Sequence, residues 1–163
     1  MSSPAVSRAA VITVSDRCSR GAYEDTSGAL VLERLRSLPA SVTKHVTVPD
    51  EIDSIQRAIR ELVGPADLLV MTGGTGIGHR DRTPEAVRPL LDLDLPGMAE
   101  AMRAAGILST PHAMLSRQVC GVISGCLVLV LPGSERAVDE CLDVVWPTLP
   151  HALALLGHGT AAH

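Results

Sequence analysis

The sequence predicts an α/β protein with a mostly parallel sheet, crossover helices and one antiparallel hairpin element. Three observations carry this expectation. Along the first half, short runs rich in β-branched residues alternate with segments of helical period. The run DLLVMT, at 67–72, is apolar between its two ends, as a strand covered on both faces must be. It leads into Gly73-Gly74-Thr75-Gly76-Ile77-Gly78, a glycine loop placed where parallel sheets bind ligands, at the carboxyl end of a strand.

The elements follow in order. Residues 1–7 are small and polar and read as a flexible arm. A first strand is expected over 9–14, ending in Ser15-Asp16-Arg17. A helix is expected from near Asp25-Thr26-Ser27, with Val31, Leu32, Leu35 and Leu38 on one face, and Pro39 stops it. Residues 41–48 alternate Val42, Lys44, Val46 and Val48 with Thr43, His45 and Thr47, which suits a peripheral strand. Pro49-Asp50-Glu51 opens a second helix with Ile52, Ile55, Ile59, Leu62 and Val63 at helical spacing, ended by Gly64-Pro65. The buried strand and glycine loop come next.

Thr83-Pro84-Glu85 reads as a helix start with Thr83 as cap and Pro84 at the first position. Another helix is expected from Pro96-Gly97 to Ala105, ending at Gly106. The runs 118–123 and 126–131 flank Ser124-Gly125, a two-residue hairpin turn. Ser134 then caps a helix with Val138, Cys141, Leu142 and Val145 inward, and a last short helix follows Pro147.

Composition narrows the function. The chain has 163 residues, 46% hydrophobic and 20% charged, which fits one packed domain, expected over 8–157 with a flexible tail at 158–163. One Trp, one Tyr and no Phe leave few platforms for stacking single-stranded bases, and a net charge of −4 without a basic run argues against nucleic acid. The four cysteines form no C-x-x-C pair, so buried free thiols in a reducing compartment are expected. No apolar run is long enough to span a bilayer and no leader pattern opens the chain, so a cytoplasmic protein with no membrane partner is expected.

Chemistry concentrates in a few places. Consecutive glycines after a parallel strand let backbone amides converge on an anion, and the loop from Thr72 to Gly78 is the best candidate. It is neither a Walker A loop, because His79-Arg80 replace Lys and Ser/Thr, nor a dinucleotide fingerprint. Asp81 lies between Arg80 and Arg82 before a helix start, a setting that favours an ionised carboxylate able to hold Mg²⁺, with an Arg for phosphate. Asp50, read locally, is a helix cap. Ser116-Arg117 and Pro132-Gly133-Ser134 are further anion-binding candidates by the same amide logic. The histidines have no metal-ligand spacing.

Taken together, Val14-Ser15-Asp16-Arg17, Pro49-Asp50-Glu51, Thr72-Gly73-Gly74-Thr75-Gly76, Arg80-Asp81-x-Thr83-Pro84-Glu85, Pro96-Gly97, Leu115-Ser116-Arg117 and Leu131-Pro132-Gly133-Ser134 resemble the Mog/MoaB-type molybdenum-cofactor biosynthesis proteins. They do so in the same order and over nearly the whole chain. The resemblance implies a three-layer α/β/α sandwich, usually a trimer, that binds molybdopterin and ATP. It further implies adenylyl transfer, with Asp50 and Asp81 essential and holding Mg²⁺. Ser15, Thr72, Gly73, Gly74, Thr75, Gly76, Arg80, Ser116, Arg117, Pro132, Gly133 and Ser134 are then expected to contact the ligands. Transient contact with other cofactor-biosynthesis enzymes is a further expectation. A non-catalytic molybdopterin carrier or scaffold of the same fold is the alternative.

Overall fold

The structure is a computed structural model that describes residues 7–158. The chain runs β1 (Ser7–Val14), α1 (Asp16–Ser19), α2 (Thr26–Leu35), β2 (Ala40–Val48), α3 (Ile52–Val63) and β3 (Leu68–Thr72). It continues through α4 (Thr83–Val87), β4 (Leu93–Asp94), α5 (Pro96–Ser109), β5 (Cys120–Ile123), β6 (Cys126–Leu131), α6 (Glu135–Val145) and α7 (Leu149–Leu155).

Side-chain alternation along the strands builds two cores, one on each face of a six-stranded sheet. Ala9, Val11, Leu68, Val70, Leu127 and Leu129 point to one face, where α2, α5, α6 and α7 cover them. Ala10, Ile12, Leu69, Met71, Val128 and Val130 point to the other, under α3 and α4. This is the three-layer sandwich expected above. The strand order is β2-β1-β3-β6-β5-β4, with the first four strands parallel and β5 antiparallel to β6. The hairpin turn is Ser124-Gly125, with φ of 49° and 77°, the positive pair that suits the twist of the two strands. The peripheral strand of the sequence reading is β2, at one edge.

The order of connections positions the site. From β1 the chain crosses outward to β2 through α2, then returns past β1 to β3 through α3, on the opposite face. The two crossovers diverge and leave a crevice beyond the carboxyl ends of β1 and β3, where ligands bind in open α/β sheets.

Several boundaries differ from expectation. Arg82, not Thr83, caps α4; the Thr83 hydroxyl instead donates to the Gly73 carbonyl at 2.8 Å. Gly106 does not end α5, which runs on to Ser109; a Cβ at 106 would lie 2.9 Å from the Ala113 methyl, so glycine serves close packing there. The short α1 and the two-residue β4 have no sequence signal of helical or strand period. Ser7, assigned to the arm, opens β1, and His158, assigned to the tail, docks beside it, its carbonyl oxygen accepting from the Ser7 hydroxyl at 3.1 Å. Residues 1–6 and 159–163, the rest of the expected arm and tail, lie outside the described residues.

At the amino end of β3 these terminal residues form a clasp. Asp67 accepts from the Arg8 amide at 2.8 Å and from its guanidinium at 2.9 Å. His158 Nδ1 lies 3.2 Å from the same carboxylate, and its Nε2 lies 2.7 Å from the Gly125 carbonyl oxygen. No helix among the described residues is long and apolar enough to cross a membrane.

Candidate functional site

At the carboxyl end of β3 the chain turns through two glycines whose backbone only glycine adopts readily. Gly73 and Gly74 have φ of 94° and 67°. A Cβ at Gly73 would lie 2.2 Å from the Val14 carbonyl oxygen, and one at Gly74 would lie 2.3 Å from Thr83 Oγ1 and 3.1 Å from Asp50 Oδ1. The loop is pinned from below by Gly73 N donating to Leu131 O and Thr83 N donating to Gly74 O. Within the described residues the amides of Gly74, Thr75 and Gly76 have no protein acceptor, which leaves them for an anion.

Asp50 reaches this loop from the start of α3. It is not the helix cap: Glu51 holds that position and makes no side-chain cap bond. Asp50 Oδ2 instead accepts from the Asp16 amide at 2.9 Å, and Asp16 Oδ1 accepts from the Asp50 amide at 3.0 Å. Burial and the nearby Asp16 and Asp81 carboxylates push the Asp50 carboxyl above its ordinary value. Asp16 moves the other way, because the Arg80 guanidinium grips it through two hydrogen bonds of 2.9 Å.

Asp81 flanks the loop from the other side. Its Oδ2 accepts from the Gly78 amide at 2.8 Å, and a Cβ at Gly76 would lie 2.8 Å from the same oxygen. Asp50 and Asp81 both line a polar cleft of about 240 Å³, with Ser15, Thr72, Gly73, Gly74 and Gly133. Among the described residues no three His, Cys, Asp or Glu side chains gather as a self-sufficient metal site. Two carboxylates beside free amides fit a hard divalent cation that takes its remaining ligands from phosphate and water, as Mg²⁺ does.

The other expected residues frame the loop. Ser15 Oγ caps α1 by accepting from Cys18 N, and Thr72 Oγ1 lies 3.3 Å from Ser27 Oγ beneath the cleft. Arg117 works as a clamp: it donates to Gly76 O at 2.8 Å and Asp81 O at 2.9 Å, and pairs with Glu85. Ser116 donates to Gln118 Oε1 at 2.8 Å, and Ser134 Oγ caps α6 by accepting from Ala137 N.

Beyond the glycine loop lies a second cavity of about 250 Å³, lined chiefly by apolar groups of α5 and α6. Met102, Leu115, Ala137 and Cys141 form its walls, and Arg103, Ser116 and Gln118 supply polar groups. Thr75, Gly76, Pro132 and Ser134 face this pocket, whereas Gly73, Gly74 and Gly133 face the carboxylate cleft. The two glycine-bearing turns are thus a ridge between two cavities.

The sequence reading does not single out Asp16, which opens α1 two residues beyond the end of β1, the strand next to β3. It also missed Thr13 and Asp25 in the cleft floor, hydrogen-bonded to each other and joined by His45 Nε2 at 3.0 Å from Thr13 Oγ1. The second cavity was missed because its walls read as ordinary helix core. The cysteines offer no nucleophile there: burial pushes Cys120 and Cys126 up to about 12 and Cys141 up to about 11, while Cys18 lies partly exposed in the cleft.

Comparison with known proteins agrees with this architecture. A family profile described as "Probable molybdopterin binding domain" matches residues 10–151. The chain is 37% identical to a molybdopterin adenylyltransferase of Helicobacter pylori strain J99, over 90% of this chain and 85% of that protein. It is 44% identical to a molybdenum cofactor biosynthesis bifunctional protein of Synechococcus elongatus over 93% of this chain, but spans only about half of that longer relative, 49%. The molybdopterin biosynthesis Mog protein of Mycobacterium ulcerans superposes with a TM-score of 0.89 at 36% identity, covering 93% of this chain and 99% of that one. With sheet order, glycine ridge and paired aspartates in place, the chain belongs to the Mog/MoaB family of molybdopterin-binding domains.

Proposed function

We propose that the chain catalyses ATP- and Mg²⁺-dependent adenylylation of molybdopterin, a nucleotidyl transfer in molybdenum cofactor biosynthesis. The observation that carries this is the glycine ridge, which separates a polar cleft bearing two carboxylates from a mainly apolar pocket. A transfer between two phosphate-bearing ligands needs both phosphates in one place and their remaining parts on opposite sides. The apolar pocket suits the pterin ring, with Arg103, Ser116 and Gln118 offering polar partners for its edge. The cleft suits the nucleotide. The terminal phosphate of molybdopterin attacks the α-phosphorus of ATP, the bond to the β-phosphate oxygen breaks, and pyrophosphate leaves.

Asp50 and Asp81 are the residues that hold Mg²⁺, which supplies charge neutralisation on the phosphates. The amides of Gly74 to Gly76 bind phosphate oxygens, and Arg117 steadies the turn by donating from its own amide to Thr75 O, the carbonyl behind the Gly76 amide, and from its side chain to Gly76 O. Thr83 locks the Gly73 carbonyl in the same way. No side chain has to act as a nucleophile. The support for the activity is the family membership and the adenylyltransferase relative that covers most of this chain's length.

The experiment is pyrophosphate release from ATP and Mg²⁺ with and without molybdopterin. Release that depends on molybdopterin supports the transferase; tight molybdopterin binding without release would make the chain a carrier. We also propose a cytoplasmic homotrimer that passes its product to other cofactor-biosynthesis enzymes. The exposed apolar side chains Ile107, Leu108, Met114 and Leu115, where α5 ends, favour self-association. Light scattering that gave a monomer at micromolar concentration would remove the trimer.

A further inference from the structure

The cleft that holds the two aspartates has a rim that the phosphate chemistry does not use. Between β1 and α2 the chain forms α1 and a return loop, and Ala22 N donates to Arg17 O at 2.9 Å, folding residues 17–23 back on themselves. This brings Tyr23 over Arg17, whose guanidinium carbon lies 4.4 Å from the ring centroid. Both side chains line the cleft together with Asp50, Asp81 and the glycine turn. Tyr23 is the only tyrosine of the chain and stays 54% exposed, a ring that is held in place and still accessible. The single tryptophan lies elsewhere, against Arg34 in the helical layer of α2 and α6.

The loop is also tied to the phosphate end of the cleft. Ser15 caps α1, and Asp16, the residue before Arg17, exchanges amide hydrogen bonds with Asp50 and pairs with Arg80. An aromatic platform is therefore fixed relative to the carboxylates. In a nucleotide the ribose separates the base from the α-phosphate, so a phosphate on the glycine turn places the base toward the rim and not the floor. The floor is polar, made of Thr13, Ser15, Asp25, Ser27 and Thr72, and offers nothing flat and apolar.

We propose that Tyr23, steadied by Arg17, is the platform on which the base of the nucleotide stacks. This rests on the reading that the cleft holds a nucleotide and adds which part of the chain takes the base. Stacking of this kind tolerates different bases because each has a π face, so discrimination between purine nucleotides at this site is weak.

The test is binding of ATP and of inorganic triphosphate, each with Mg²⁺, to the full chain by titration calorimetry. The parent, Tyr23→Phe and Tyr23→Leu are compared, with thermal unfolding confirming that each is folded. Tyr23→Leu is expected to weaken ATP about tenfold, Tyr23→Phe to keep it within about twofold, and triphosphate to bind all three alike. If Tyr23→Leu leaves ATP affinity unchanged, or weakens triphosphate as much as ATP, the platform is wrong while the phosphate and metal site stands. If the parent binds neither ligand, the nucleotide reading of the cleft falls, and the platform with it.

Discussion

Strand β3 has a carboxylate problem at each end, and the two ends solve it in opposite ways. At the amino end, Asp67 is almost fully buried, and burial alone would push its carboxyl up. Hydrogen bonds from the Arg8 guanidinium and amide, with the charge of His158, more than offset this and hold it below the ordinary range. At the carboxyl end, Asp50 is half-buried near two further carboxylates, its nearest cation is committed to Asp16, and its carboxyl is pushed up. One end is electrostatically complete without any ligand. The other has negative charge facing it and amides without acceptors among the described residues, an arrangement that a cation and a phosphate would complete together. A carboxylate whose cations the chain itself supplies is satisfied within the fold, and one held among like charges is a candidate for binding a ligand.

The contrast breaks most visibly on removing charge at the ligand end. Asp81→Asn and Asp50→Asn are each expected to slow molybdopterin-dependent pyrophosphate release by a factor on the order of 10² to 10³, with the fold intact by circular dichroism. Parent-like turnover in both variants would end the two-carboxylate model. The equivalent change at the other end, Asp67→Asn, should do the reverse. It leaves Arg8 and His158 without their anion and should cost about 2 kcal/mol of folding stability in urea titrations, with the turnover of folded protein unchanged.

The pH dependence of that loss has a definite sign. The folded value of Asp67 is depressed, so its stabilisation is fully present above its unfolded value, roughly pH 4, and disappears as pH falls through the lower folded one. The difference between parent and Asp67→Asn should therefore shrink below about pH 4. A gap that is the same in acid as at neutrality would mean Asp67 contributes through packing and not through charge.

Smaller effects sharpen the comparison. Gly76→Ala places a methyl 2.8 Å from Asp81 Oδ2, inside van der Waals contact, so the carboxylate must shift. We expect Mg²⁺-dependent nucleotide affinity to drop about tenfold, or about 1.4 kcal/mol, with little change in stability. Unaltered affinity would show that Asp81 has room to adjust. The smallest effect is on the stability of Asp50→Asn. Because the folded value of Asp50 is raised, ionising it costs the native state above roughly pH 4, and the amide removes that cost. A gain of about 0.5 kcal/mol at neutral pH is expected, small because solvent still screens the half-buried group. The gain should vanish in acid, and a loss at neutral pH would mean that the Asp16 amide needs the charge.

What the sequence displays follows from how local each signal is. The glycine loop, Asp81 and the helix starts at Ser134 and Asp25 are written in consecutive residues, and the folded chain uses them in place. Asp50 shows the limit of local reading. Pro-Asp-Glu before an apolar helix satisfies the capping rule, yet the cap falls one residue later and the carboxylate turns to Asp16, 34 residues away. Arg117 likewise reads as an anion-binding candidate beside Ser116, but its acceptors Gly76, Asp81 and Glu85 come from a segment 32 to 41 residues earlier. The apolar pocket was illegible because Met102 and Cys141 have the spacing of core residues, and only the packing of α5 on α6 leaves a space between them. The clasp was hidden for a simpler reason, since it joins residues near both ends of the chain.

The paired amides of Asp16 and Asp50 also bear on how this site can vary over evolutionary time. Each position must present an oxygen at the γ carbon to the other's main chain, so glutamate, one methylene longer, is a poor replacement at either. Beyond that shared requirement the two diverge. Position 16 needs charge only for Arg80, so a lineage that loses the arginine is free to drift to asparagine there, and a lineage that keeps it is not. Position 50 has no such partner to release it. Sequence change should thus couple residues 16 and 80 to one another, while residue 50 stays tied to residue 16 through the main chain.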